Sequence, residues 1–185
     1  ASSIVLLSMF VVRSGSVGDV ERTVFDALNG LPDGLKAPMW VLQIFGSLAF
    51  VMVLSLTALA AGRTRLGAAL AVSIPLKLAV EWWVIKAVVE RERPFATVPD
   101  AIIRDVNTSP LGFPSGHAIL ALSLAGLLAP YLRKRGKIIV YALAVLNCVA
   151  RVYLGAHNPL DVVAGAAVGI AIAAALNLTV GQPAD

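Results

Sequence analysis

The sequence is poor in charge, in histidine and in cysteine. Its 15 lysines and arginines and 11 aspartates and glutamates make up only 14% of the 185 residues, whereas hydrophobic residues make up 58% and the mean hydropathy is +0.85. Because soluble domains carry about 25% charged residues, this composition excludes an ordinary soluble domain. The single cysteine, Cys148, cannot form an intrachain disulfide, so it does not indicate a redox compartment.

The hydrophobic residues lie in long runs that predict a helical membrane protein. A helix needs about 20 apolar residues to span the hydrocarbon core. The five longest runs cover about 37–61, 66–89, 117–132, 138–155 and 160–180, and a shorter sixth, SSIVLLSMFVV, precedes Arg13. We therefore predict an all-α, polytopic transmembrane bundle of about six spans. Residues 1–185 would form a single membrane-embedded domain whose first span is short or lacks its beginning.

The segment VERTVFDALNGL predicts a short helix in the outer membrane interface. Its apolar residues fall along one side of a helix: Val20, Val24, Phe25, Leu28 and Leu31. A one-sided apolar face is typical of helices that lie in the interface. Further along the chain, Gly165 and Gly169 form a small-xxx-small pair that predicts close helix packing inside the bundle.

The distribution of basic residues predicts the orientation in the membrane. Two connections, GRTRLG and RKRGK, are basic and carry no acidic residue, whereas residues 13–36 and 90–113 each mix three basic with four acidic residues. The positive-inside rule places the purely basic connections in the cytoplasm. We therefore expect both termini in the cytoplasm, in a bacterial plasma membrane. Because this topology accounts for the pI of 9.6, no nucleic-acid partner is expected.

Polar residues gather at the predicted outer ends of the spans, although the chain has only two histidines. Three motifs contribute them: Lys86 and Arg93 from KAVVERERP, Ser115, Gly116 and His117 from PSGH, and Arg151, His157 and Asp161 from ARVYLGAHNPLD. Ionisable residues at membrane depth indicate a functional site. We expect the three cations, the two histidines and the carboxylate to meet on one face of the membrane.

This set of side chains suits phosphoryl transfer. The transition state spreads negative charge over three oxygens, and catalysis rests on positioning and electrostatic stabilisation. Lys86, Arg93 and Arg151 would provide the positive charge. Ser115 and Gly116 would add a hydroxyl and backbone N–H groups at a helix start.

The spacing of the histidines predicts their roles. Asp161 follows His157 by four residues, so its carboxylate would hold one ring nitrogen and leave the other as the nucleophile. His117 has no such carboxylate nearby in the sequence and is the predicted general acid.

The ordered pattern K-x6-RP, PSGH and R-x5-H-x3-D resembles the type 2 phosphatidic acid phosphatase superfamily, which also contains the vanadium haloperoxidases. The resemblance implies metal-independent dephosphorylation through a phosphohistidine, in a six-span membrane architecture without a cofactor. One departure is visible, because the family usually has a serine where this chain has Ala150. We interpret this change as the loss of a secondary hydrogen bond.

The predicted substrate is a lipid phosphate or lipid pyrophosphate, bound by a monomer or weak homodimer in the bilayer. Three alternatives stay open: a lipid-to-lipid phosphotransferase using the same site, a vanadium haloperoxidase, and a non-catalytic phosphate-binding membrane protein.

Other ionisable residues are given structural interpretations. The loop acids Glu90, Glu92, Asp100 and Asp105 are interpreted as solvated charge, and no metal site is expected. Lys77 and Glu81 lie four residues apart inside the third predicted span, where a neutralising ion pair is the expected arrangement.

Overall fold

The computed structural model describes residues 2–12, 16–104 and 109–180. The α-helices in these ranges are α1 (Ser2–Val12), α2 (Asp19–Asn29), α3 (Lys36–Ile44), α4 (Leu48–Ala60), α5 (Thr64–Leu78), α6 (Pro94–Thr97), α7 (Gly116–Leu128), α8 (Lys134–Tyr153) and α9 (Pro159–Thr179). Short 3-10 turns cover Asp33–Leu35 and Ala129–Tyr131, and π-helical turns over Ala79–Ile85 continue α5. The described ranges hold no strand beyond one isolated bridge. The all-α prediction is confirmed.

Among the described residues, three helices are long and apolar enough to cross a membrane by themselves: Thr64–Ile85, Lys134–Tyr153 and Pro159–Thr179. A fourth span results when Asp33–Ile44 and Leu48–Ala60, which are bent by 46°, are taken as one. The helix α1 and the segment 116–131 are apolar but shorter. These segments coincide with the apolar runs of the sequence, and six crossings stay a prediction.

The predicted span 37–61 is broken into two helices. The side chain of Ser47 caps the second helix, α4. Asn147, from α8, donates from Nδ2 to the carbonyl oxygens of Leu42 (3.1 Å) and Gln43 (2.9 Å) at the end of α3. Because a helix end leaves carbonyl groups without intrahelical partners, this amide stabilises the break.

Close packing of α7 against α9 forms the centre of the bundle. A Cβ atom at Gly165 would lie 3.1 Å from Ala118 Cβ, and one at Gly169 would lie 3.0 Å from the Ser123 nitrogen. Ser123 Oγ also donates to the Gly169 carbonyl at 3.1 Å. The glycine pair therefore packs inside the bundle, as predicted, because larger side chains would separate the two helices.

The helix predicted over residues 20–31 is present as α2, and it packs against the bundle. Phe25 is fully buried and the polar side chains of Glu21 and Asn29 are largely buried, because α2 packs against α8 and α9. Val20 and Val24, predicted on the same apolar side, are exposed by 82% and 43%. The exposed valines leave an apolar strip beside the side that packs on the bundle, and the position of this helix in the outer interface stays a prediction.

Candidate active site

The three motifs meet because two loop segments run side by side. The Arg93 nitrogen donates to the Pro110 carbonyl at 3.2 Å, and the Gly112 nitrogen donates to the Arg91 carbonyl at 2.7 Å. These bonds place the first motif beside PSGH. The Ser115 nitrogen donates to the Asp161 carbonyl at 2.9 Å and joins PSGH to the third motif.

His157 is buried, and its ring contacts Arg93. Arg93 Nη1 lies 3.3 Å from His157 Nε2 and also donates to the Ala156 carbonyl at 2.7 Å. A guanidinium can only donate, so Nε2 must be the acceptor in this contact. The neutral ring then carries its hydrogen on Nδ1, which leaves Nε2 with the lone pair that a nucleophile needs.

Asp161 lies next to His157, but its hydrogen bonds go elsewhere. The distance from His157 Nδ1 to Asp161 Oδ2 is 3.7 Å, longer than a hydrogen bond of about 2.9 Å. Oδ2 accepts from the Asn158 nitrogen at 2.9 Å, and Oδ1 accepts from Arg91 Nη1 at 2.9 Å. The four-residue spacing therefore predicts the neighbour correctly, and the carboxylate is held by a helix cap and an arginine.

Lys86 belongs to a charged group that also contains the predicted ion pair. Its Nζ donates to Glu81 Oε1 at 2.7 Å and lies 4.3 Å from the centre of the Trp82 ring. Glu81 Oε2 pairs with Lys77, so the predicted pair is present and is extended by a second lysine. A Cβ atom at Gly116 would lie 2.7 Å from Lys77 Nζ, which places this group against the start of α7.

The remaining predicted residues lie in the same cluster. His117 is half-buried in the first turn of α7, close enough to Arg151 for its charge to act on the ring. Arg151 is almost fully buried and donates from Nη1 to Gln43 Oε1. Ser115 is buried at the N-cap of α7, where its Oγ accepts from the Ala118 nitrogen at 3.5 Å. All eight predicted site residues from the three motifs therefore lie in one cluster.

Three buried polar residues near the site were missed in the sequence: Glu21, Arg91 and Gln43. Glu21 and Arg91 count as ordinary loop or surface charge in the sequence, and no local pattern shows that they are buried together. Gln43 lies in an apolar run, where a lone amide is a weak signal.

The loop acids that we interpreted as solvated, Glu90, Glu92 and Asp100, are exposed, and Asp105 lies outside the described residues. In the described part of the chain, no group of three or more potential metal ligands was found.

The environment of His157 predicts a pH-dependent stability. Burial, followed by the charges of Arg151, Arg93 and Lys86, holds the pKa of His157 well below its usual range. The folded ring stays neutral where an unfolded histidine, with a pKa of about 6.5, takes up a proton. We therefore expect the free energy of unfolding to fall as the pH drops below about 6.5, by at most about 1.4 kcal/mol per pH unit from this group.

The measurement is the thermal midpoint in detergent, followed from neutral to acidic pH for the wild type and for His157→Gln. The variant has no titrating ring at this position, so its midpoint should fall less steeply below about pH 6.5. Parallel profiles for the two proteins would contradict the assignment of a neutral buried ring.

Comparison with known proteins agrees with this geometry. Residues 62–183 match the sequence model of the PAP2 superfamily. The bacitracin transport permease protein BcrC of Bacillus licheniformis is 39% identical over 82 residues, which is 42% of this chain and 38% of that protein. Phosphatidylglycerophosphatase B of Bacillus subtilis (strain 168) is 37% identical over 98 residues, or 47% of this chain and 45% of that protein. The matched regions thus cover less than half the length of each curated relative.

Two solved structures share the fold. The crystal structure of Aquifex aeolicus LpxE is similar with a TM-score of 0.72 and 21% identity, over 86% of this chain and 95% of that chain. The transmembrane PAP2-type phosphatidylglycerolphosphate phosphatase from Bacillus subtilis gives a TM-score of 0.75 and 22% identity, over 95% of this chain and 93% of that chain. The protein is therefore an integral membrane protein with a transmembrane helix-bundle fold. Since the family match covers well over half of the 185 residues and contains all three motifs, the chain belongs to the PAP2 superfamily.

Proposed function

We propose that this protein is a metal-independent phosphatase that removes phosphate from a lipid phosphate or lipid pyrophosphate through a phosphohistidine. The observation that carries the proposal is the His157 ring, whose Nε2 accepts from Arg93 while Lys86 and Arg151 lie close enough to act on it electrostatically. A neutral nucleophile within a cluster of cations suits attack on an anionic phosphorus. The family match and the phosphatases among the relatives support this chemistry.

The proposed reaction has two steps. His157 Nε2 attacks phosphorus, the bond from phosphorus to the leaving oxygen breaks, and His117 gives that oxygen its proton. A water molecule then attacks the phosphohistidine, the nitrogen–phosphorus bond breaks, and His117 takes up the proton of the water. Lys86, Arg93 and Arg151 stabilise the charge on the phosphoryl oxygens in both steps.

We propose that the site lies on the outer face of the membrane, with both termini in the cytoplasm. The site is formed by the ends of α5 and α8 and the starts of α7 and α9. The opposite ends of these helices carry exposed basic residues, Arg63, Arg65, Arg133, Lys134, Arg135 and Lys137. The positive-inside rule assigns that basic end to the cytoplasm. A lipid head group could then reach the site while its tail stays in the bilayer, within a single membrane-embedded domain.

The test is phosphate release in detergent from phosphatidic acid, phosphatidylglycerol phosphate, diacylglycerol pyrophosphate and a polyprenyl pyrophosphate. We expect release from at least one lipid to be unchanged by EDTA, because no step needs a metal ion. We expect orthovanadate to inhibit, because it adopts the five-coordinate geometry of the transition state.

Two other outcomes would overturn the proposal. Loss of release in EDTA, restored by a divalent cation, would show metal-dependent chemistry. A phosphorylated acceptor lipid without free phosphate would show a phosphotransferase.

A further inference from the structure

We propose that Arg91 and Glu21 are positioning residues that orient Asp161 toward His157, and thereby couple α2 to the catalytic pair. This inference rests on the proposed function, because it assigns a role in the reaction of the same site. Arg91 is one of the six unspecified positions of the first motif, between Lys86 and Arg93, and Glu21 lies outside all three motifs.

Arg91 connects the two carboxylates in the interior of the protein. Its side chain is fully buried, and Nη1 donates to Asp161 Oδ1 at 2.9 Å and to Glu21 Oε1 at 3.0 Å. Nη2 donates to Glu21 Oε2 at 2.6 Å. Burial disfavours the charged guanidinium, but the bonds and charges of Glu21 and Asp161 outweigh it and raise the pKa of Arg91. The guanidinium therefore stays charged and fixed between its partners.

Glu21 is also bonded to the helix that carries Asp161. Its Oε1 accepts from the Leu160 nitrogen at 2.9 Å, in the first turn of α9. A carboxylate at a helix N-terminus is stabilised by the free N–H groups there. Glu21 therefore holds both Arg91 and the start of α9, and it does so from α2, far away in the sequence.

This geometry leaves one carboxylate oxygen of Asp161 facing the histidine. Arg91 reaches Oδ1 with one nitrogen only, because the other nitrogen, Nη2, donates to Glu21 Oε2 at 2.6 Å and to the Ser16 carbonyl at 3.2 Å. Oδ2 is then the oxygen nearest to His157 Nδ1, at 3.7 Å. Arginine tends to bind a carboxylate through both oxygens. Without the charge of Glu21, the 3.2 Å bond to the Ser16 carbonyl would be the main contact holding Nη2. Arg91 could then engage Oδ2 as well, and Oδ2 would no longer face His157 Nδ1 alone.

The first experiment compares Glu21→Gln with the wild type in steady-state hydrolysis of whichever panel lipid the wild type hydrolyses. Glutamine keeps the size and one acceptor oxygen but removes the charge. We expect kcat to fall about tenfold, because a buried charged bond is lost, while KM changes by less than about twofold, because no substrate contact is removed. Asp26→Asn is the matched control: Asp26 lies on the same helix, is exposed and pairs with Arg22. It should stay within about twofold of the wild type.

The second experiment separates positioning from a merely structural role. Glu21→Gln is combined with Asp161→Asn, and the rate of phosphohistidine formation is measured in a single turnover. If Glu21 acts through Asp161, its replacement should have no further effect in the Asp161→Asn background. An equal loss in both backgrounds would overturn the proposal. Where Glu21→Gln lowers the yield of folded protein, Arg91→Lys completes the same cycle, because lysine keeps the charge without the two-nitrogen geometry.

The outcomes also distinguish this inference from the function on which it rests. A wild type that hydrolyses no lipid in the panel refutes the proposed function and the positioning role with it. An active wild type with independent losses for Glu21→Gln and Asp161→Asn refutes the positioning role alone.

Discussion

Replacing His157 with alanine is expected to abolish phosphate release, with a loss of about 10⁴-fold or more in kcat, the scale seen when a catalytic nucleophile is removed. The substitution removes Nε2, the atom that accepts from Arg93 and faces the cationic cluster. Without it, water has to attack phosphorus unaided, and the cations stabilise a step that lacks its nucleophile. The loss should appear in kcat, because the proposed phosphate-binding residues Lys86, Arg93 and Arg151 are unchanged.

The decisive measurement is the trapped intermediate. The wild type, incubated with radiolabelled substrate and quenched in base, should carry an acid-labile phosphate on the protein, and His157→Ala should carry none. His117→Ala provides the comparison within the same site. With a good leaving group such as p-nitrophenolate, which needs little proton donation, His117→Ala should still be phosphorylated. Phosphate release by His157→Ala at the wild-type rate would refute the assignment of the nucleophile.

The positions of the helices could be predicted because the bilayer sets their length. Apolar runs near 20 residues indicate spans whatever their neighbours are, and the observed helices overlap those runs. The break between α3 and α4 could not be predicted in this way. It depends on Asn147, which contacts residues about a hundred positions earlier in the chain. The hydropathy of residues 37–61 does not indicate a contact with so distant an amide.

The site was predictable where its contacts are local. His157 and Asp161 are four residues apart, on either side of the start of α9. The Asp161 side chain reaches back to the N-cap residue Asn158, so the proximity of the two follows from local capping geometry. The bond from Glu81 to Lys86 was not predictable, because residues five apart lie on different faces of an α-helix. The π-helical turns over Ala79–Ile85 change this, and the Lys86 nitrogen donates to the Glu81 carbonyl at 2.9 Å. The side chains of Lys86 and Glu81 then meet as well.

The contacts that hold Asp161 in place could not be predicted, because they join residues far apart in the sequence. Glu21 and Arg91 are 70 residues apart, and Arg91 and Asp161 are again 70 apart. Their charges look in the sequence like those of any solvated loop or surface helix. Only the packing of α2 against α9 shows that the three residues form one buried group.

Asp161→Asn is expected to lower kcat by about 10³-fold, less than the loss of about 10⁴-fold for the aspartate of serine-protease triads, because Oδ2 lies 3.7 Å from His157 Nδ1. Both oxygens of Asp161 accept from donors, Oδ1 from Arg91 and Oδ2 from the Asn158 nitrogen. Asparagine presents only one acceptor oxygen, so its NH₂ group has to face a donor on one side. If NH₂ faces His157 Nδ1, it favours the tautomer in which Nδ1 accepts and Nε2 carries the hydrogen. Nε2 then lacks the lone pair that the nucleophile needs.

The same substitution separates orientation from helix capping, which is the other role of Asp161. Asparagine keeps the size of the side chain, and in the orientation that turns NH₂ toward Arg91 its oxygen can still accept from the Asn158 nitrogen. If Asp161 served only as a cap, Asp161→Asn would therefore keep most of its activity and its thermal midpoint. We expect a bundle that stays folded in detergent, with a KM close to the wild type and a kcat lowered by about 10³-fold, because the negative charge beside the histidine is lost. A low kcat in a stable protein assigns Asp161 to the reaction, whereas a lowered midpoint with near-normal kcat assigns it to the start of α9.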